Sequence, residues 1–395
     1  MKIALLVADG MGDWPISELG NRTPLEVANT PNMDALAKTA TLALAKTIPD
    51  KMEPGSDVAN MSLIGFDPEI YHTGRGPIEA AALQVDLNDD DIIFRMNLVT
   101  VTEFSEHGKM IDYSASHISQ EDGLEVVNLL KKHLENNKWQ IVPGFQYRHL
   151  LIRRHGLTRS LKDININPPH DILDQPISYD FAQYKNHNEL FQLILKANQL
   201  IAKNFPHLKV NSIWPWGQGK KLTLPDFYKT YGLKGAVISA VDLIKGLGYA
   251  SNMEVINVDG ATGLLDTNYN GKADAAIKFL KKNDFVFVHL EGPDECGHAG
   301  DIQGKIKAIE RFDKFIVRPI ADFLKEQKGI CIICCDHLTP IVKRTHVKDP
   351  VPVIINNFAK PQKNNVSTFN EKVAKGSNII FYKAHELLKW VLERI

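Results

Sequence analysis

Short unbroken apolar runs alternate along the chain with longer stretches in which apolar residues return every three or four positions. Ile3 to Ala8, Phe285 to Leu290 and residues 330–335 are the clearest of the short runs, with 351–355 a weaker one. Such runs, bounded by polar or turn residues, predict buried parallel strands. Residues 302–324 carry Ile306, Ile309, Phe312, Ile316, Ile320 and Phe323 at helical spacing, and Pro319 is expected to kink that helix or end its first part. Strands alternating with helices predict an α/β fold with a mainly parallel sheet flanked by helices. Residues 85–231 have another texture, rich in Asn, His and Lys with helical stretches such as 189–204. The expected organisation is therefore a discontinuous core, 1–84 and 232–395, with an α+β domain inserted at 85–231.

Composition narrows the function classes. The 395 residues carry a formal net charge of −1, which argues against a broad basic face for nucleic acid or anionic lipid. No apolar run approaches the roughly 18 residues of a membrane span, and the run at Ile3 is too short for a signal peptide, so a cytoplasmic protein is expected. Of the four cysteines, Cys331 and Cys334 have C-x-x-C spacing. No second pair completes a metal cage, and reduced thiols buried in a strand are the expectation.

Potential metal ligands follow three of the predicted strands. Asp9 comes after the first. Glu291-Gly292-Pro293-Asp294-Glu295-Cys296-Gly297-His298 comes after the second. Asp336-His337, with His346 a short loop later, comes after the third. In open α/β sheets ligands bind beyond the carboxyl ends of the strands, so Asp9, Asp294, His298, Asp336, His337 and His346 can converge. Taken singly, an Asp-Gly is a turn and an acid after a strand is a helix cap. Six such residues at strand ends make the coincidence costly. Three carboxylates and three imidazoles suit two borderline cations such as Mn²⁺ or Zn²⁺ better than Ca²⁺. A two-cation site serves in-line displacement at phosphorus or sulfur, or hydrolysis. In Pro54-Gly55-Ser56-Asp57-Val58-Ala59-Asn60, Ser56 is placed to begin a helix, either as its N-cap or as a nucleophile where backbone N–H groups attract phosphate.

With these segments stand Asp9-Gly10-Met11-Gly12-Asp13, Thr30-Pro31-Asn32-Met33-Asp34, Gly74-Arg75-Gly76-Pro77-Ile78-Glu79-Ala80 and Gly260-Ala261-Thr262-Gly263. Together they resemble the archaeal-type cofactor-independent phosphoglycerate mutases of the alkaline phosphatase superfamily, over nearly the whole chain. The resemblance implies an alkaline-phosphatase-like core and Ser56 as nucleophile. It implies one divalent cation on Asp9, Ser56, Asp336 and His337, and another on Asp294, His298 and His346. Mn²⁺ is the expected ion, with Mg²⁺, Zn²⁺ or Co²⁺ as alternatives. It further implies a small phosphorylated acid as substrate, met by His117 and Arg148 of the inserted domain, with Arg75, Lys245 and Asn60 as further candidates. A homoserine-kinase-type phosphotransferase or a phosphatase on the same scaffold stays open. No G-x-x-x-x-G-K-[ST] loop is present.

Overall fold

The computed structural model describes residues 1–157, 161 and 163–394. The chain forms two compact units, Met1–His72 with Thr223–Ile395, and Thr73–Leu222. The helix Arg75–Ala82 thus belongs to the second unit and the helix Phe227–Tyr231 to the first.

The first unit is built on an eight-stranded sheet. From one edge its strands are Ile380–Phe381, Thr41–Ala45, Val351–Asn357, Ile330–Cys334, Ile3–Ala8, Phe285–Leu290, Gly235–Ile238 and Glu254–Val255. The central strands Ile330–Cys334, Ile3–Ala8 and Phe285–Leu290 are parallel and buried along their whole length. Burial on both faces explains their unbroken apolar sequence. The strand Val351–Asn357 departs from expectation. It runs antiparallel to both Ile330–Cys334 and Thr41–Ala45. The reason lies in the connection: residues 335–350 hold turns and no helix, and a parallel return needs a crossover segment.

The periodic stretch 302–324 is one continuous helical path in three parts, Ile302–Phe312, Asp313–Val317 and Arg318–Glu326. Pro319 has no N–H to give to a carbonyl of the preceding turn. The helix answers by widening into a π-helical turn at Asp313–Val317, not by ending. The Asp313 carboxylate accepts from the backbone N–H of Asn32 at 3.2 Å and of Met33 at 2.7 Å, so this turn caps the helix Pro31–Ala37.

The second unit is an antiparallel sheet with helices. Its long strand Ile92–Val101 pairs with Met110–Asp112, Arg148–Arg153 and Ser212–Lys220, and Trp139–Phe145 pairs with Arg148–Arg153. The helices Gln120–Leu134 and Asn188–Asn204 bury Val126, Val127, Leu130, Leu190, Ile194 and Ile201 in a core shared with Phe94, Met96 and Trp214.

All four cysteines are free and buried. Burial pushes the Cys331 thiol up to about 12 and Cys296 up to about 11, away from thiolate chemistry. No described helix is long and apolar enough to cross a membrane.

Candidate metal centre

The site grows from the carboxyl ends of the three central strands. Val7 is in register with His289 on one side and Cys334 on the other. Alternate residues share a face, so Asp9 and Asp336, each two positions on, fall on the side of His289. Gly10 makes the turn after the first strand with φ +60°, and its N–H donates to Asp336 Oδ1 at 3.1 Å. A Cβ at Gly10 would lie 2.7 Å from Asp294 Oδ1 and 2.6 Å from Thr339 Oγ1, so only glycine lets the ligand loops close up here. Lys305, fully buried, ties the loops together, donating to Gly12 O at 3.1 Å, Thr339 O at 2.8 Å and Asp13 Oδ2 at 2.7 Å.

The structure brings together the six strand-end residues and Ser56. His337 Nε2 lies 3.1 Å from Ser56 Oγ, 3.4 Å from Asp9 Oδ1 and 3.5 Å from Asp336 Oδ2. His298 Nε2 lies 3.0 Å from His346 Nε2 and 3.2 Å from Asp294 Oδ2, while His346 Nε2 is 3.5 Å from Asp294 Oδ1. Ligand-capable atoms of Asp294, His337 and His346 fall within 4.8 Å of one another, as do those of Asp9, His289 and Asp336.

Ser56 opens the helix Ser56–Ile64, but Gly55 is its N-cap and no side chain fills the cap. Of the two readings of Ser56, the cap is therefore not the one its side chain adopts. Asn60, one turn along, donates to the Ser56 carbonyl at 2.8 Å and to Asp336 Oδ2 at 2.7 Å, joining the helix to the strand end.

The electrostatics favour cations. With the protein's own charges alone, burial and then repulsion from Asp336 and Asp294 raise the Asp9 carboxyl well above its ordinary range. Burial works against ionisation of Asp294 too, but hydrogen bonds and charge from His298 and His346 outweigh it and hold Asp294 well below. Burial brings the His337 imidazole down to about 4. His298, although burial opposes its charge, is carried up to about 9 by Asp294. Asp9 Oδ1, Asn60 Oδ1 and His289 Nε2 are buried without a hydrogen-bond partner among the described residues. Buried polar atoms are rarely left so, and three around two carboxylates that repel each other fit a bound cation.

The proposed substrate residues divide between the units. In the second, Arg148 lies over the rings of Tyr147 at 5.6 Å and Phe145 at 5.8 Å. Tyr147 meets Tyr113 and the exposed His117, Tyr113 meets His170, and His170 meets Trp216. Arg75 and the buried Arg95 both lie over Trp216, at 5.9 and 5.0 Å. His117, Arg148 and Arg75 thus belong to one cationic and aromatic series of contacts. Lys245 sits in the first unit on the helix Asp242–Ala250, which packs on the Ser56 helix, and its ammonium is 3.8 Å from Asp242.

A family model described as the metalloenzyme superfamily matches residues 1–380. The 2,3-bisphosphoglycerate-independent phosphoglycerate mutase of Methanosarcina mazei is 44% identical, over 98% of each chain. The chain belongs to this mutase family. A probable mutase of the same kind from Geobacter sulfurreducens is 39% identical over 100% of both chains. One from Saccharolobus solfataricus is 35% identical over 95% of this chain and 93% of its own. Among solved structures, the PH0037 protein from Pyrococcus horikoshii superposes with a TM-score of 0.81 at 27% identity, over 100% of this chain and 98% of that one. The cofactor-independent phosphoglycerate mutase from Thermoplasma acidophilum, at 24% identity and a TM-score of 0.65, shares the fold. Membership of this metalloenzyme family agrees with a donor set suited to divalent cations.

Reading the strand-end acids missed His289, Glu291 and Thr339. Thr339 Oγ1 donates to Asp294 Oδ1 and stands 3.2 Å from His337 Nδ1. A histidine inside the otherwise apolar Phe285–Leu290 was the signal available for His289, since an imidazole in a fully buried strand needs polar partners.

Proposed function

We propose that this chain is a cofactor-independent phosphoglycerate mutase that interconverts 3-phosphoglycerate and 2-phosphoglycerate through a phosphoserine at Ser56, acting in the cytoplasm. The observation that carries the reading is Ser56 Oγ, 3.1 Å from His337 Nε2, in the first turn of a helix whose cap is left open. A hydroxyl so placed has carboxylates and imidazoles beside it and stands at the N-terminus of a helix, where backbone N–H groups attract phosphate. Asp9, Ser56, Asp336 and His337 would hold one divalent cation, and Asp294, His298 and His346 the other, with Mn²⁺ the ion proposed. When bound, such cations lower the pKa of the serine hydroxyl and offset charge on the phosphoryl group.

The chain's own groups do the rest. As the Ser56 Oγ–P bond forms, the substrate's ester O–P bond breaks, and the departing glycerate oxygen ends with the proton the serine gave up. Glycerate then presents its other hydroxyl and the transfer reverses. Helix N–H groups hold the phosphoryl oxygens, and Asn60 fixes the first turn against Asp336. His117, Arg148 and Arg75, with Lys245, supply charge and donors for the phosphate and carboxylate. Excluding water while phosphoserine exists is what keeps the enzyme a mutase and not a phosphatase.

A coupled enolase assay on 3-phosphoglycerate, without ATP, tests this. Turnover is expected with Mn²⁺ and is expected to vanish in Ser56→Ala, which still folds. Turnover in Ser56→Ala, an ATP requirement, or release of free phosphate in place of 2-phosphoglycerate overturns the reading.

A further inference from the structure

We infer that His289 is a further metal ligand, binding through Nε2 beside Asp9 and Asp336, and that Glu291 and Lys272 hold its ring in the ligating tautomer. The inference rests on the two-cation reading above but adds a residue that the resemblance does not assign to either cation.

His289 is fully buried, yet among the described residues its Nε2 has no hydrogen-bond partner. That atom lies 3.3 Å from Asp9 Oδ2 and 3.9 Å from Asp336 Oδ2. The other ring nitrogen is fully committed: Nδ1 is 3.1 Å from Glu291 Oε1. Glu291 can only accept when ionised, and its oxygens are surrounded by donors. Ser239 Oγ gives to Oε1 at 2.8 Å, the Ala240 N–H gives to Oε1 at 3.1 Å, and Lys272 Nζ gives to Oε2 at 2.9 Å. Lys272, fully buried, also donates to the His289 carbonyl at 2.8 Å. Nδ1 therefore carries the proton, and in the neutral ring the Nε2 lone pair faces the carboxylates.

Two of the proposed ligands repeat this design. His298 Nδ1 is 3.0 Å from the Arg344 carbonyl, which can only accept, so Nδ1 carries a proton and Nε2 is the nitrogen turned to Asp294 and His346. Thr339 spends its hydroxyl proton on Asp294 and so must accept from His337 Nδ1, which leaves Nε2 as the nitrogen turned to Ser56 and Asp9. Histidines that bind metals characteristically give the other N–H to a carboxylate or carbonyl in this way.

The test titrates metal-free protein with Mn²⁺ by calorimetry and locates the ions by anomalous diffraction in crystals of the loaded full chain. Two sites are expected, with an ion roughly 2 Å from His289 Nε2. His289→Gln is expected to weaken one site at least tenfold. Glu291→Gln keeps the ring and its packing and is expected to weaken the same site about 10- to 100-fold, and it reports even where His289→Gln fails to fold. Ions bound at Asp9 and Asp294 but beyond coordination distance of Nε2, or unchanged affinity in Glu291→Gln, overturn the role of His289 and leave the two-cation reading standing. Wild-type protein that takes up no divalent ion overturns both.

Discussion

Thr339 carries no charge, yet its hydroxyl links Asp294 to His337 and so joins the two ligand groups. Thr339→Val keeps the shape and takes one hydrogen bond from Asp294 and one from His337. It is expected to cost roughly 1–3 kcal/mol of stability in chemical denaturation and about 10- to 100-fold in Mn²⁺ affinity by calorimetry. Glu371 makes a pH prediction away from the ligands. It accepts from the Asp13 N–H at 3.1 Å and the Thr23 hydroxyl at 2.8 Å, while burial pushes its carboxyl from the usual 4.5 up to about 7. The folded state thus prefers the protonated acid. That contribution to stability is fully present below 4.5 and is lost as pH rises through about 7. Urea denaturation from pH 4 to 8 should show this fall in the wild type and a shallower one in Glu371→Gln. At this scale Asp9, Asp294 and Asp336 could be picked out in the sequence only as members of a set, because each alone reads as a turn or a helix cap. His289 and Thr339 were hidden because their roles depend on partners that only the folded chain supplies.

Among the elements, the turn at Gly10 is the most demanding. Its φ is positive, and a Cβ there would stand only 2.8 Å from Asp294 Cα, which leaves a side chain no room. Gly10→Ala is expected to lower stability by about 1–2 kcal/mol from the left-handed backbone alone, and to push Asp294 away, so that metal uptake falls further than stability does. Calorimetric titration beside a thermal melt separates the two. Asp313→Ala acts on another element: it strips the N-terminal N–H groups of the helix Pro31–Ala37 of their acceptor, with an expected loss of about 0.5–2 kcal/mol in denaturant. The parallel strands at Ile3, Phe285 and Ile330 could be read from their unbroken apolar runs. The antiparallel course of Val351–Asn357 could not, since strand direction is set by the connection and not by the residues within the strand. Nor does helical spacing reveal a π turn, because one extra residue shifts the apolar face by less than its own width.

For the molecule as a whole, three buried carboxylates, Asp9, Asp294 and Asp336, meet in the first unit. Cations that bind only the folded state stabilise it by mass action, by about 2.7 kcal/mol at a hundredfold excess over Kd. Chelation should therefore lower the melting temperature of the wild type, and added Mn²⁺ should restore it; a melt indifferent to both would contradict the site. The site's residues run from Asp9 to His346. A ribosome making roughly 5–20 residues per second needs on the order of half a minute between them. Until Asp294 and the residues after it emerge, Asp9 lacks the carboxylates and imidazoles it meets in the folded unit, and an ion has no complete donor set to bind. Metal loading is therefore expected to follow the folding of the strand Ile330–Cys334 and of the loop that carries His346, and not to precede it.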